Sequence, residues 1–359
     1  MRENIFERVL TVEKFEDFRG KDLSNKNLKN VSIDFLMTAD FDTQTKWPSK
    51  ENLPVGFNPE AVLENGKNPG LGIKELHKQG ITGKGINIAI IDQKLDLNHK
   101  EYSDNIVSYE ELDKSTKEQA VSMHGPGVAS LLVGKNCGIA PDAKLHYYAN
   151  PCADDSNWDF SSESLNKIID FNNKAKEGDK IKVVSYSNGY PNPAFKGDLE
   201  NWEKTIEKAK NDGIIFIDAN TFFDFGFIAG GSATDKEDVD KYKNWLALDN
   251  KIPIFDKINP SWNKKDRIIV PSDYRTFASS YNKKEKNGPD EYLFMGRGGV
   301  SWSIPYLAGL CTLMLQVNKD LKMEEMVKIL QDTASVNKEG LKIVNPKGAI
   351  DAVKSIHEK

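Results

Sequence analysis

Residues 83–102 read GKGINIAIIDQKLDLNHKEY, and the fold turns on how this stretch is interpreted. Ile86 to Ile91 form an almost unbroken apolar run that stops at Asp92. A strand with one wet face alternates apolar and polar residues, so a continuous run suits a parallel strand covered on both faces. The same grammar recurs at Leu145–Ala149, Lys182–Ser187 (KVVSYS) and Ile214–Ala219 (IIFIDA). Helix-length segments lie at His124–Gly134, Ser164–Ala175, Leu199–Asp212, Ser301–Val317, Met323–Thr333 and Gly348–Ile356, with Gly213 as the stop of the third. Strands alternating with helices predict an α/β chain, a three-layer α/β/α arrangement with a mainly parallel central sheet. Ligand chemistry in such sheets lies beyond the carboxyl ends of the strands, where this reading puts Asp92 and Asn220. Residues 221–300, rich in glycine, aromatics and charge, are expected as long loops and short strands around that site.

Composition narrows the function classes. The 359 residues are 38% hydrophobic and 29% charged, a globular balance and not a disordered one. A net charge of −5 gives no basic field to attract nucleic acid or anionic lipid. Cys137, Cys152 and Cys311 make no C-x-x-C pair, which argues against a disulfide framework and a zinc site. The first twenty residues, MRENIFERVLTVEKFEDFRG, are charged throughout and lack the apolar core of a signal peptide, so a cytoplasmic location is expected. Residues 298–318 carry no charge, yet Gly298, Gly299, Ser301, Ser303, Pro305 and Gln316 are too many polar and breaking residues for a lipid span. That stretch is expected as a buried helix, and no membrane partner is expected.

Three segments carry chemistry. In the first, Asp92 leaves a strand. In the second, MHGPGVASLLVGKNCGIAPDA (123–143), His124 opens a helix whose small residues allow close packing. In the third, GRGGVSWSIPYLAGLCTLML (296–315), Ser301 sits at a glycine-rich turn into a helix, with Pro305 expected in its first turn. The order Asp, His, Ser is the one subtilisin uses. From about Leu76 to the C-terminus the chain resembles the subtilisin-like serine peptidases. IIDQKLDLNH resembles the family's aspartate block, HGPGVASLLVG its H-G-x-x-V-A-G block, and GVSWSIPYLAG its G-T-S-M-A-x-P-x-x-A-G block. GIAPDAKL and the C-terminal VNPKGAIDAV are also family-like.

The resemblance implies a subtilisin-like fold and a serine endopeptidase acting on a peptide or protein substrate. Ser301 would be the nucleophile, His124 the general base and then acid, and Asp92 the group fixing the imidazole tautomer. Asn220 would be an oxyanion donor beside the Ser301 backbone N–H. Ser187, Asn188 and Gly189, within KVVSYSNGYPN, would line the substrate backbone, and Phe225–Ala233 would floor the first pocket. No cofactor is required, although the resemblance allows structural calcium; no D-x-D-x-D-G loop supplies ligands for it.

Residues 1–68 form an N-terminal extension to a catalytic domain at 69–359, either a prosegment or a docked structural arm. The NPEAVLENGKNPG region is the part expected near the active site. The chain departs from the family at Lys94, where a glycine is usual, at Trp302, commonly methionine, at Tyr306, commonly histidine, and in HGPG for HGTH. These departures keep open an alternative, a weak or inactive subtilase serving as a regulatory binding protein. His99 is expected to be structural, and His77 and His146 to be packing or surface residues.

Overall fold

The structure, a computed structural model, describes residues 16–113, 117, 119–151, 156–189, 192, 195–232, 239–241, 245–247, 267–280, 291–337 and 340–357. Cys152, Tyr190, Pro191 and Ala233 lie outside the described residues. In chain order the elements begin with α1 (Ile33–Met37), β1 (Asp40–Asp42), α2 (Pro59–Asn65) and α3 (Ile73–Lys78). Next come β2 (Asn87–Asp92), β3 (Ile106–Glu111), α4 (His124–Val133), β4 (Lys144–Ala149), α5 (Trp158–Lys174), β5 (Ile181–Tyr186), α6 (Leu199–Asn211), β6 (Ile215–Ile217) and α7 (Ala219–Phe225). Then follow β7 (Phe227–Ser232), β8 (Trp245–Ala247), β9 (Ile268–Pro271), β10 (Arg275–Ser279), β11 (Glu291–Met295) and α8 (Val300–Val317). The chain closes with α9 (Met323–Thr333), β12 (Ser335–Val336), β13 (Lys342–Ile343) and α10 (Pro346–His357).

The central sheet has the order β3-β4-β2-β5-β6, and every neighbouring pair is parallel. The apolar run of β2 divides by parity. Ile88 and Ile90 enter a core shared with α4 and α8, while Ala89 and Ile91 enter a second core with α5 and α6. Burying an isoleucine of this kind stabilises the fold by ~1.5–3 kcal/mol, so a polar residue on either face would be felt. The three-layer arrangement follows from that two-sided burial. α8 is one described helix long and apolar enough to cross a membrane by length and composition, and 78% of it is buried inside the protein.

Three boundaries differ from the sequence reading, each through a cap or a start the periodicity does not mark. α5 begins at Trp158, earlier than Ser164, because Asn157 accepts from the Asp159 N–H as its N-cap. β6 stops at Ile217, and Asp218 forms a capping box with Thr221 that opens α7. Asn220 therefore lies in the first turn of a short helix, not at the end of a strand. α8 begins at Val300 on Gly299, which puts Pro305 beyond the first turn.

Residues 221–300 contribute β7, β8 and β9 to a mixed sheet, β12-β13-β9-β7-β8, whose other two strands follow α9, and most of an antiparallel one, β1-β11-β10. The edge strand of the latter comes from the N-terminal extension, with Asp40 opposite Met295, Phe41 opposite Phe294 and Asp42 opposite Leu293. Leu36, Met37, Phe41, Leu53 and Phe57 bury against Phe294 in a separate aromatic-rich core. Trp47 stands edge-on to Phe41 at 5.1 Å. The extension thus folds as short helices and a strand paired with the rest of the chain.

Candidate active site

Asp92 is the last residue of β2, and its carboxylate is aimed by the strand. Its Oδ1 accepts from His124 Nδ1 at 2.7 Å and from the Gln93 backbone N–H at 2.8 Å. His124 opens α4, whose position is set by glycine. A Cβ on Gly125 would stand 2.5 Å from the Gln93 carbonyl, and one on Gly127 would stand 2.9 Å from Trp302 Cζ3. The helix end is also pinned from its N-terminal side: Ser122 Oγ accepts from the His124 backbone N–H and donates to Gln93 Oε1. Burial by itself would push the imidazolium toward deprotonation. The Asp92 charge and hydrogen bond outweigh it, so the His124 pKa lies above the usual imidazole value.

Ser301 stands in the first turn of α8. The preceding loop is shaped by Asp273, whose Oδ1 accepts from the Gly298 N–H at 2.6 Å and from Ser272 Oγ at 2.8 Å. Gly298 allows the close approach, since a Cβ there would lie 2.0 Å from the Ser272 carbonyl. Pro305 lacks the N–H that would have bonded the Ser301 carbonyl. Ser187 Oγ donates to that carbonyl at 3.0 Å. The Ser301 hydroxyl in turn donates to the Ser187 carbonyl at 3.5 Å, and no hydrogen bond joins it to His124. The Ser301 loop and the segment after β5 therefore hold each other.

Of the three residues expected to line substrate, Ser187 and Asn188 border a cleft of about 180 Å³ together with Asp92, His124, Asn150 and Tyr186. Gly189 packs under α7, where a Cβ would lie 2.8 Å from Ala219 Cβ and 2.9 Å from Asn220 Oδ1. Asn220 is thereby brought beside the Ser187–Gly189 segment. His99 is fully buried and structural, its Nε2 bonded to the Glu291 carbonyl at 2.9 Å. His77 Nε2 meets the Ile139 carbonyl at 2.8 Å, and His146 Nδ1 meets Ser108 Oγ at 2.9 Å, both packing roles. Among the described residues no group of three His, Cys, Asp or Glu side chains could hold a metal ion.

The extension touches this site differently from the expectation. The region around 58–70 backs onto β10 through the Gly66 carbonyl, which accepts from the Thr276 N–H at 2.8 Å. It is Arg19, held on Asp17, that reaches the residue before His124, with Nη1 at 3.0 Å from Met123 Sδ. Met37 and Thr38 close against Gly296, the start of the serine loop. Sequence reasoning also missed Asp273, Ser122 and the Ser187 hydroxyl bond. A Ser-Asp pair upstream of a glycine loop is a weak signal; Asp273 and Ser187 lie far in sequence from the loop they support, and Ser122, two residues before His124, carries no motif of its own.

Residues 83–349 match the family model described as the Subtilase family, peptidase S8, and the chain belongs to that family of serine proteases. The minor extracellular protease Vpr of Bacillus subtilis (strain 168) is 24% identical over 279 residues. That alignment covers 71% of this chain and 33% of Vpr, so the chain spans about a third of the length of the curated relative it matches. Among solved structures, the prenylagaramide maturation protease PagA aligns with a TM-score of 0.52 at 19% identity, over 79% of this chain and 99% of PagA. The subtilase cytotoxin SubAB structure aligns at 0.56 and 14%, over 80% and 96%. The PatG macrocyclase domain aligns at 0.50 and 14%, over 79% and 95%. These likenesses carry the fold.

Proposed function

We propose that this chain is a serine endopeptidase with Ser301 as nucleophile, His124 as general base and acid, Asp92 as the group that orients the imidazole, and Asn220 with the Ser301 backbone N–H as oxyanion donors. The observation that carries the reading is the 2.7 Å bond between His124 Nδ1 and Asp92 at the mouth of the cleft. With Nδ1–H donating to Asp92, Nε2 is left as the proton acceptor. For attack the Ser301 hydroxyl turns from the Ser187 carbonyl toward Nε2, a rearrangement in keeping with the loose hydrogen bonds of substrate-free sites. Ser301 Oγ then bonds the scissile carbonyl carbon as its proton passes to Nε2. The tetrahedral oxyanion takes hydrogen bonds from the uncapped start of α8 and from the Asn220 amide. Collapse breaks the C–N bond, and His124 gives its proton to the departing amine. Water repeats the sequence on the acyl-enzyme, releasing the acid and restoring the serine.

The substrate is a peptide or protein segment laid in extended form along Ser187–Gly189, where backbone partners give affinity without side-chain demands. A processing role is in keeping with two fold neighbours described as a maturation protease and a macrocyclase. The free, buried thiols of Cys137 and Cys311 support a reducing compartment. A fluorophosphonate probe is expected to label the full chain at Ser301, and Ser301→Ala is expected to abolish labelling. A folded wild-type chain that stays unlabelled, freed of any N-terminal block, would favour the regulatory binding protein instead.

A further inference from the structure

The residue that follows the nucleophile is a tryptophan where similar proteins commonly have methionine, and its ring is immobilised against the base. Trp302 is 4% exposed. One side of the indole meets the His124 ring at 5.1 Å between centroids with 39° between planes. Phe277 packs on it at 4.5 Å and 33°. Its Nε1–H donates to Met295 Sδ at 3.0 Å, and its six-membered ring fills the space that the missing Cβ of Gly127 leaves open. Four elements thus fix the indole: α4 by a glycine, β10 by a stacked ring, β11 by a hydrogen bond, and its own helix.

We propose that Trp302 is a positioning residue for His124: it holds the imidazole in register with Asp92 and favours the imidazolium that forms when Ser301 gives up its proton. The inference rests on the triad reading above. An aromatic face attracts a neighbouring cation through its quadrupole, and tryptophan does so best. The charged and titratable groups around the ring are few. Asp92 approaches from β2. Arg19 of the N-terminal extension sits on Met123 and is neutralised by Asp17. Tyr147 of β4 donates its hydroxyl to the Gln93 carbonyl, and Tyr186 of β5 lines the same cleft. Asp92 therefore acts on the ring by charge and a hydrogen bond, and Trp302 by its aromatic contact.

The test separates this role from simple packing, and from the triad reading itself. The imidazole titration of His124 is followed by NMR in the full-length Ser301→Ala chain, which needs no activity. Tryptophan is replaced biosynthetically by fluorinated tryptophans, which drain the π face at nearly constant shape. The His124 midpoint should fall in steps with fluorine number, by roughly half a pH unit in all. In the active background, Trp302→Phe should retain most of the probe-labelling rate. Trp302→Leu should slow it about tenfold at neutral pH, with the acid limb of the labelling profile displaced to match the NMR midpoint. A His124 midpoint indifferent to fluorination would overturn the proposal, as would a folded Trp302→Leu chain labelled at the wild-type rate. Absence of labelling in the wild type would instead remove the triad reading, while the fluorine series would still report the ring contact.

Discussion

The two walls of the cleft are built by different means. The wall bearing Asp92 and His124 rests on the parallel sheet, where β2 is the middle strand and both of its faces are buried. The wall bearing Ser301 is entered from the end of β11, in an antiparallel sheet with β10 that is completed by β1, a strand from a region outside residues 83–349. The first wall is held by local sequence: an apolar run, a glycine-rich helix start, a strand-end carboxylate. The second is held by partners far apart in the chain, Thr276 on Gly66, Gly296 on Met37 and Thr38, and Ser301 on Ser187. The two meet where Trp302 packs over Gly127 and where the Ser187 hydroxyl donates to the Ser301 carbonyl, and they differ in what holds the rest of each.

Substitutions can break that contrast or refine it. The largest effect is expected from Asp92→Asn, which leaves the first wall packed but offers His124 the wrong hydrogen-bonding partner. The labelling rate should fall by about 10⁴. Asp92 raises the His124 pKa, and attack needs the neutral ring, so wild-type activity should appear as pH rises through a midpoint above the usual imidazole value. In the variant the residual activity should have its midpoint lower, and a pH profile checks the direction. Phe41→Ala strikes the second wall alone. Loss of a buried ring of this size costs about 3–5 kcal/mol, and hydrogen exchange should rise in β11 and the serine loop while β2 keeps its protection. Equal loss of protection in both would show the walls to be one cooperative unit. Asn220→Ala is expected to lower turnover by about 10²–10³ with little change in melting temperature. Ser187→Ala should be the mildest, destabilising by about 0.5–1.5 kcal/mol as the Ser301 carbonyl loses a donor, read from the denaturation midpoint.

The same contrast explains what the sequence makes legible. The parallel core was readable because Ile86–Ile91 and the later strand runs bury both faces, and period alone separates such runs from wet strands. Asp92, His124 and Ser301 were singled out from local motifs, and three glycines beside the last two, Gly125, Gly127 and Gly298, are sites of close contact. Asn220 was picked by position after an apolar run and was assigned to the wrong element, since the Asp218–Thr221 capping box is a four-residue signal easily hidden at a strand end. Pro305 was expected near an unbonded helix start; its real consequence, a carbonyl handed to Ser187, depends on a residue over a hundred positions away. The contacts of Arg19 and Met37 with the site have no local signature at all. Tertiary partners of low sequence proximity are invisible to periodicity, and the second wall consists largely of them.

The pairing of Asp40–Asp42 with Leu293–Met295 also sets a schedule. During synthesis the early strand must wait, unpaired, until β11 has left the ribosome, because its partner edge does not yet exist. Loop-closure entropy makes such a distant match one of the slower events in folding. The nascent polypeptide can assemble its Asp–His half first, and its serine is seated only when nearly all of the protein has been made. A hydrolase arranged in this way has a built-in delay between translation and competence.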